Sequence, residues 1–197
     1  DKVSYDQIYD EHIFMFSVTS VKKIAEMHDY ELIDILPQVT HGGSMRYVIA
    51  RKKEHIINQK VIDALSLEKK KNLDNIESCI IFKNNCENSK NKIVTSLKKI
   101  KEEGKKICGY AATSKSTTIL NYCNLDKNIF DYICDTTKEK IGKFSPGTHI
   151  PIVPISHFHE NLPDVAYLFA WNHKNEIFNK EKDFVNKGGK WISHVSI

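Results

Sequence analysis

The stretch Lys106-Ile-Cys-Gly-Tyr-Ala-Ala-Thr-Ser-Lys-Ser-Thr-Thr-Ile-Leu-Asn121 reads as a strand, a tight loop of small residues and a helix. In a parallel sheet, ligands sit at the carboxyl ends of the strands, where this loop falls. Small residues at Gly109, Ala111 and Ala112 let backbone approach a ligand closely. The helix start behind them offers free N–H groups and a partial positive charge, which suits phosphate. Ser114, Ser116 and Thr117 add hydroxyls and Lys115 adds a point charge. A second reading stays open: Gly109 serves tight strand–helix packing, and Ser114 or Ser116 only caps the helix. Asp135 follows Gly109 by 26 positions, a spacing at which dinucleotide folds place an acid on ribose hydroxyls. Only the first glycine of G-x-G-x-x-G is present, so a nicotinamide dinucleotide is disfavoured.

Downstream, strand and helix alternate. Strands are expected at Ile129–Cys134, Pro151–Pro154, Asp164–Trp171 and Trp191–Val195, with helices at Thr117–Cys123 and Asn175–Asn186. This rhythm predicts an α/β fold: a Rossmann-like, mostly parallel sheet flanked by helices. Upstream, residues 52–105 read as helices, the longer one stopping at Gly104. Residues 1–51 read as a helix (Thr19–His28), a strand (Tyr30–Leu36), a turn at His41-Gly42-Gly43 and a strand (Ser44–Arg51), a β-hairpin preceded by a helix.

At 197 residues with 41% hydrophobic content, the chain can bury a substantial core. No apolar run reaches the roughly 18 residues that span a membrane, and a soluble, cytoplasmic protein with no membrane partner is expected. The five cysteines show no CxxC pair and are expected to be reduced; no metal site is expected. His157 and His159 are read on a connecting segment without a third ligand. The lysines between Lys52 and Lys106 lack interleaved aromatics, so a solvated helix surface is favoured over nucleic-acid binding.

Tyr5-Asp-Gln-Ile-Tyr-Asp-Glu-His12 packs two tyrosines, three acids and a histidine into eight residues. An imidazole serves as a general base near neutral pH, and a phenol donates to a developing oxyanion. Taken in isolation, such a cluster is more often a polar loop or helix start, where acids favour the helix N-terminus.

These motifs occur in one order with His41-Gly-Gly-Ser-Met-Arg46, Pro146-Gly-Thr-His-Ile-Pro-Ile-Val-Pro154, Ala170-Trp171-Asn172 and Gly188-Gly189. Together they resemble the sugar C-methyltransferases of the TcaB9/NovU type, S-adenosylmethionine-dependent enzymes of deoxysugar biosynthesis. The resemblance implies three modules in series: a small zinc-binding module, a central methyltransferase domain and a Rossmann-like C-terminal domain. It makes residues 1–51 the tail of the methyltransferase domain, 52–105 a helical linker and 106–197 the Rossmann-like domain. The S-adenosylmethionine loop and the zinc cysteines would then lie outside this chain, leaving it inactive alone.

The family motif Tyr-x-Glu-His matches Tyr9, Glu11 and His12. By resemblance, His12 is the base, Glu11 orients it, and Tyr9 positions the substrate or stabilises an enolate oxygen. A nucleotide-linked keto-deoxysugar is the implied partner. The residues expected around it are His41, Ser44, Arg46, Gly109, Ser114, Lys115, Ser116, Thr117, Asn121, Asp135, Thr148, Trp171 and Asn172. The family loop usually reads Gly-Tyr-Gly-Ala; here Ala111 replaces the second glycine and Ser116 follows Lys115. The alternative is a non-catalytic module for sugar-nucleotide binding or assembly. Oligomeric state is not read from the sequence.

Overall fold

The computed structural model describes residues 2–197. Two compact units divide the chain: residues 13–84, and the N-terminal residues through His12 together with residues 85–197. Among the described residues no helix is long and apolar enough to cross a membrane.

The unit of residues 13–84 is a hairpin backed by helices. Helix α1 (Val18–Glu26) starts at Ser17, which forms a capping box with Ser20. Strands β1 (Tyr30–Gln38) and β2 (Ser44–Arg51) pair antiparallel, with an irregularity between Leu32 and Asp34. Helix α2 (Gln59–Lys70) is capped by the Asn58 side chain. A hairpin alone is marginal in water. Here Val18, Leu32, Ile35 and Val61 bury one shared core, with Met45 and Tyr47 against it. Glu68 of α2 adds a link by accepting hydrogen bonds from the α1 amides of Val18 (2.7 Å) and Thr19 (2.8 Å). Helix α3 (Ile76–Glu102) follows, and from Asn85 its residues group with the second unit.

The second unit carries the parallel sheet. Its elements are β3 (Ile107–Tyr110), α4 (Ser114–Cys123), β4 (Tyr132–Asp135), β5 (Ile152–Pro154), α5 (Ile155–Glu160), β6 (Val165–Leu168), α6 (Lys174–Lys180), α7 (Lys182–Asn186) and β7 (Lys190–Ile192). The strand order is β5-β4-β3-β6-β7, all neighbours parallel. Side chains alternate across a strand. Ile107, Ile133 and Tyr167 join Leu97, Ile119, Leu120 and Phe130 in one core, while Cys108, Tyr110, Cys134 and Leu168 join Phe158 and Phe184 in another. The result is the expected α/β sheet flanked by helices.

Several elements differ from the sequence reading. His157 and His159 lie on α5, not on a connecting segment, and Pro154 begins that helix. The expected helix over 175–186 is broken between α6 and α7 at Glu181, a buried residue with φ −105° and ψ 34°. The Glu181 carboxylate accepts from Tyr110 Oη at 2.8 Å and meets His159 Nε2 at 2.8 Å, and this pairing holds the break inside the fold. The strand expected to reach Trp171 stops at Leu168, and Trp171–His173 form a 3-10 turn. By contacts, the compact units are bounded at residues 12 and 84. Val61 of α2 completes the hairpin core, and residues 2–12 pack on the parallel-sheet unit.

Candidate functional site

Strands β3 and β6 lie side by side, and the chain leaves them in opposite directions, toward β4 and toward β7. Such a reversal opens a crevice at the carboxyl edge of a parallel sheet. The loops after β3 and β6 meet there, joined by the segment after β7.

Thr113, not Ser114 or Ser116, caps α4: its side chain accepts from the Ser116 amide at 3.2 Å. Ser116 is buried and its hydroxyl donates back to the Thr113 carbonyl at 2.6 Å. Lys115, in the first turn of α4, is 6% exposed. Its ammonium donates to Asn172 Oδ1 at 2.9 Å and stands 4.8 Å from the centroid of the Trp171 ring. Burial lowers the Lys115 pKa from its ordinary value, and the nearby Asp6 charge draws it partly back up. The Lys115 ammonium is thus held by a neutral amide and a ring face, with the Asp6 charge nearby.

Gly109 is not at the strand end. It pairs with both β4 and β6, and a Cβ there would lie 2.6 Å from Phe169 and 3.0 Å from Ile133. Tight packing inside the sheet explains this glycine, rather than approach to a phosphate. Asp135 does lie at the end of β4, but its oxygens are already engaged. One accepts from the Ala112 amide (2.7 Å), the other from the Thr137 amide (2.7 Å), with Lys140 Nζ at 3.7 Å. Burial pushes its carboxyl up, yet the bonds from Thr137 and Ala112 and the Lys140 charge outweigh it and hold the pKa below the usual value. Lys140, which also donates to the Ala112 carbonyl at 2.6 Å, has no signal in the sequence.

Residues 2–12 pack on this same unit. Thr118 of α4 donates to the Ile8 carbonyl at 3.0 Å. Trp171 Nε1 donates to Asp6 Oδ2 at 2.6 Å. His12 Nδ1 lies 2.8 Å from the Gln7 carbonyl, and Nε2 lies 2.9 Å from Tyr9 Oη. A carbonyl only accepts, so in the neutral ring Nδ1 carries the hydrogen and Nε2 presents its lone pair to the Tyr9 hydroxyl. The orienting acceptor is therefore Gln7, not Glu11. Glu11 is exposed, and its charge bears instead on Tyr9. Burial first, then the charges of Glu11, Asp6 and Asp10, raise the Tyr9 pKa and keep it a donor.

The other expected residues scatter. Ser114 is exposed at the start of α4, and Thr117 lies partly buried one turn on. Asn121 donates to the carbonyls of Thr117 (2.8 Å) and Pro146 (3.0 Å). With Thr148, Asn121 lines an open cleft of about 510 Å³ that also includes Asn124, Lys127 and His149. His41, Ser44 and Arg46 are exposed on the hairpin unit. Of the two α5 histidines, His159 pairs with Glu181, and His157 lies edge-on to Tyr132 with ring centroids 4.8 Å apart. Among the described residues no three His, Cys, Asp or Glu side chains cluster as a metal set.

The sheet order and its switch-point cation define a Rossmann-type α/β unit. Residues 39–196 match the family described as C-methyltransferase C-terminal domain, and the chain belongs to that family. It is 30% identical over 189 residues to C-methyltransferase NovU of Streptomyces niveus, covering 95% of this chain and 45% of that relative. The chain thus spans about half the length of the curated relative it matches.

Proposed function

We propose that this chain is the C-terminal part of an S-adenosylmethionine-dependent enzyme. It would methylate a carbon next to the keto group of a nucleotide-linked deoxysugar. The carrying observation is that one unit holds both a histidine with Nδ1 on a backbone carbonyl and Nε2 on a phenol, and a buried cation at a sheet switch point. Lys115, with the α4 N-terminus, suits the diphosphate of the nucleotide. His12 Nε2 suits removal of the proton beside the keto group. Substrate would take the Tyr9 hydroxyl from Nε2: the proton passes to the freed Nε2 lone pair, the C–H electron pair becomes the enolate double bond, the carbonyl π pair moves onto oxygen, and the released Tyr9 hydroxyl donates to that oxygen.

The residues of this chain do not fit the methyl donor in the Rossmann manner: Phe169 and Ile133 fill the space at Gly109, and Asp135 has its oxygens engaged. That poor fit supports the reading that S-adenosylmethionine, which supplies an electrophilic methyl group, is held outside this chain, as the family resemblance implies for it and for zinc.

Two experiments test the reading. In the full-length protein, His12→Ala should abolish methylation of a keto sugar nucleotide, and undiminished methylation would refute the base assignment. Calorimetry of this chain with thymidine, guanosine and cytidine diphosphates should show binding to one of them. Lys115→Ala should weaken it about tenfold or more, the scale of a lost charged hydrogen bond. Absence of heat with all three removes the nucleotide claim. Binding without turnover by this chain alone is what the non-catalytic alternative also expects, so methylation by the full-length protein decides between them.

A further inference from the structure

Asp6 is fully buried, and so is the side chain of His194 beyond β7. Asp6 Oδ2 accepts from Trp171 Nε1, and Asp6 Oδ1 lies 3.0 Å from His194 Nε2, close in distance though outside hydrogen-bond geometry. The far side of the imidazole is fixed as well. The Tyr167 hydroxyl oxygen accepts from the His194 amide at 3.1 Å, and in this fully buried position its own hydrogen has His194 Nδ1, at 3.0 Å, as acceptor. The ring hydrogen then resides on Nε2, facing the Asp6 carboxylate. The Tyr5 ring packs against His194 with centroids 5.1 Å apart and against Tyr122 of α4 at 5.2 Å.

We infer that Asp6 is a positioning residue for His12, acting through the Gln7 carbonyl. This rests on the reading of His12 as the base. Asp6 and Gln7 share the 3-10 turn Tyr5–Gln7. The Gln7 carbonyl selects the Nδ1–H tautomer of His12 and so leaves Nε2 basic. Anchoring Asp6 to Trp171 and His194 fixes the turn, the turn fixes the carbonyl, and the carbonyl fixes the tautomer. A buried carboxylate is a weak source of stability, because its desolvation offsets its attraction, but it admits few arrangements. Positioning is the use that this burial suits.

The test reads the histidine tautomers directly, by long-range proton–nitrogen correlation on this chain at about pH 8.5, where ordinary imidazoles are neutral. In the unaltered protein His12 should show a protonated Nδ1 and His194 a protonated Nε2. A His12 protonated at Nε2 overturns the inference without any variant. In Asp6→Asn the side-chain amide opposes the His194 Nε2–H or leaves the Trp171 indole without an acceptor. His12 should then average between tautomers, and amides of residues 5–12 should exchange at least tenfold faster, with the β3 amides unchanged. Should Asp6→Asn also unfold the sheet, His194→Gln is read in the same way. An unshifted His12 tautomer with unchanged exchange overturns the proposal. Neither readout involves methylation. Methylation that survives His12→Ala removes the base reading alone, and an unmoved tautomer removes the latch alone.

Discussion

Ala111 holds φ 74°, in the left-handed region where a Cβ is strained, at the position where the related loop usually carries glycine. Its amide is committed to the Cys134 carbonyl at 2.9 Å, so the backbone cannot relax without losing that bond. Left-handed backbone costs a non-glycine residue roughly 1–2 kcal/mol. The added freedom of glycine in the unfolded chain returns about 0.4–1 kcal/mol of that. Ala111→Gly should therefore stabilise the protein by about 0.5–1 kcal/mol in denaturant unfolding, and a destabilised variant would show that the loop prefers the methyl group. The glycine-to-alanine exchange is plain in the sequence, but the dihedral that makes it matter is not. That Lys115 opens a helix behind a small-residue loop is also plain in the sequence. That the Trp171 ring would lie beneath it depends on two loops 56 positions apart in the chain.

At the scale of elements, periodicity carried most of the sheet. Runs such as Tyr132–Asp135 and Val165–Leu168 are fully buried, so their apolar character shows in the sequence. Helix α5 was not legible: it has six residues, and only Phe158 among them is buried. The composition of the Tyr5–His12 cluster is plain in the sequence, but its docking depends on Thr118, which bonds Ile8, and Trp171, which bonds Asp6, both more than 100 residues away. Asp135 shows the same division. Its spacing placed it at the strand end, while its use as a brace between the loops after β3 and β4 follows from Ala112 and Thr137. Asp135→Asn should cost about 1.5–3 kcal/mol at pH 7, the range for hydrogen bonds to a charged group. Because the folded pKa is depressed, this contribution is fully present above the unfolded value near 3.8 and fades as pH falls through the lower folded value. The stability gap between parent and variant should thus hold constant from pH 7 to about 5 and shrink on further acidification. A gap independent of pH down to about 2 would assign the cost to packing instead of charge.

For the whole molecule, the division into two units makes a separable prediction. The hairpin core of Val18, Leu32, Ile35 and Val61 shares no residue with the two cores of the parallel sheet. Leu32 is 2% exposed, and truncating a buried leucine to alanine costs about 2–5 kcal/mol. Local stability differs between cooperative parts of one chain, so the loss should concentrate where the core is damaged. Leu32→Ala should accelerate amide exchange in β1 and β2 while leaving β3 and β6 protected. If the nucleotide handle is the Lys115–Asn172 crevice, affinity for a nucleoside diphosphate should change less than twofold in this variant. A tenfold loss would place part of the handle on the hairpin, where His41, Ser44 and Arg46 are exposed. That result would support the expected binding role of those three residues and overturn the assignment of the handle to Lys115 alone.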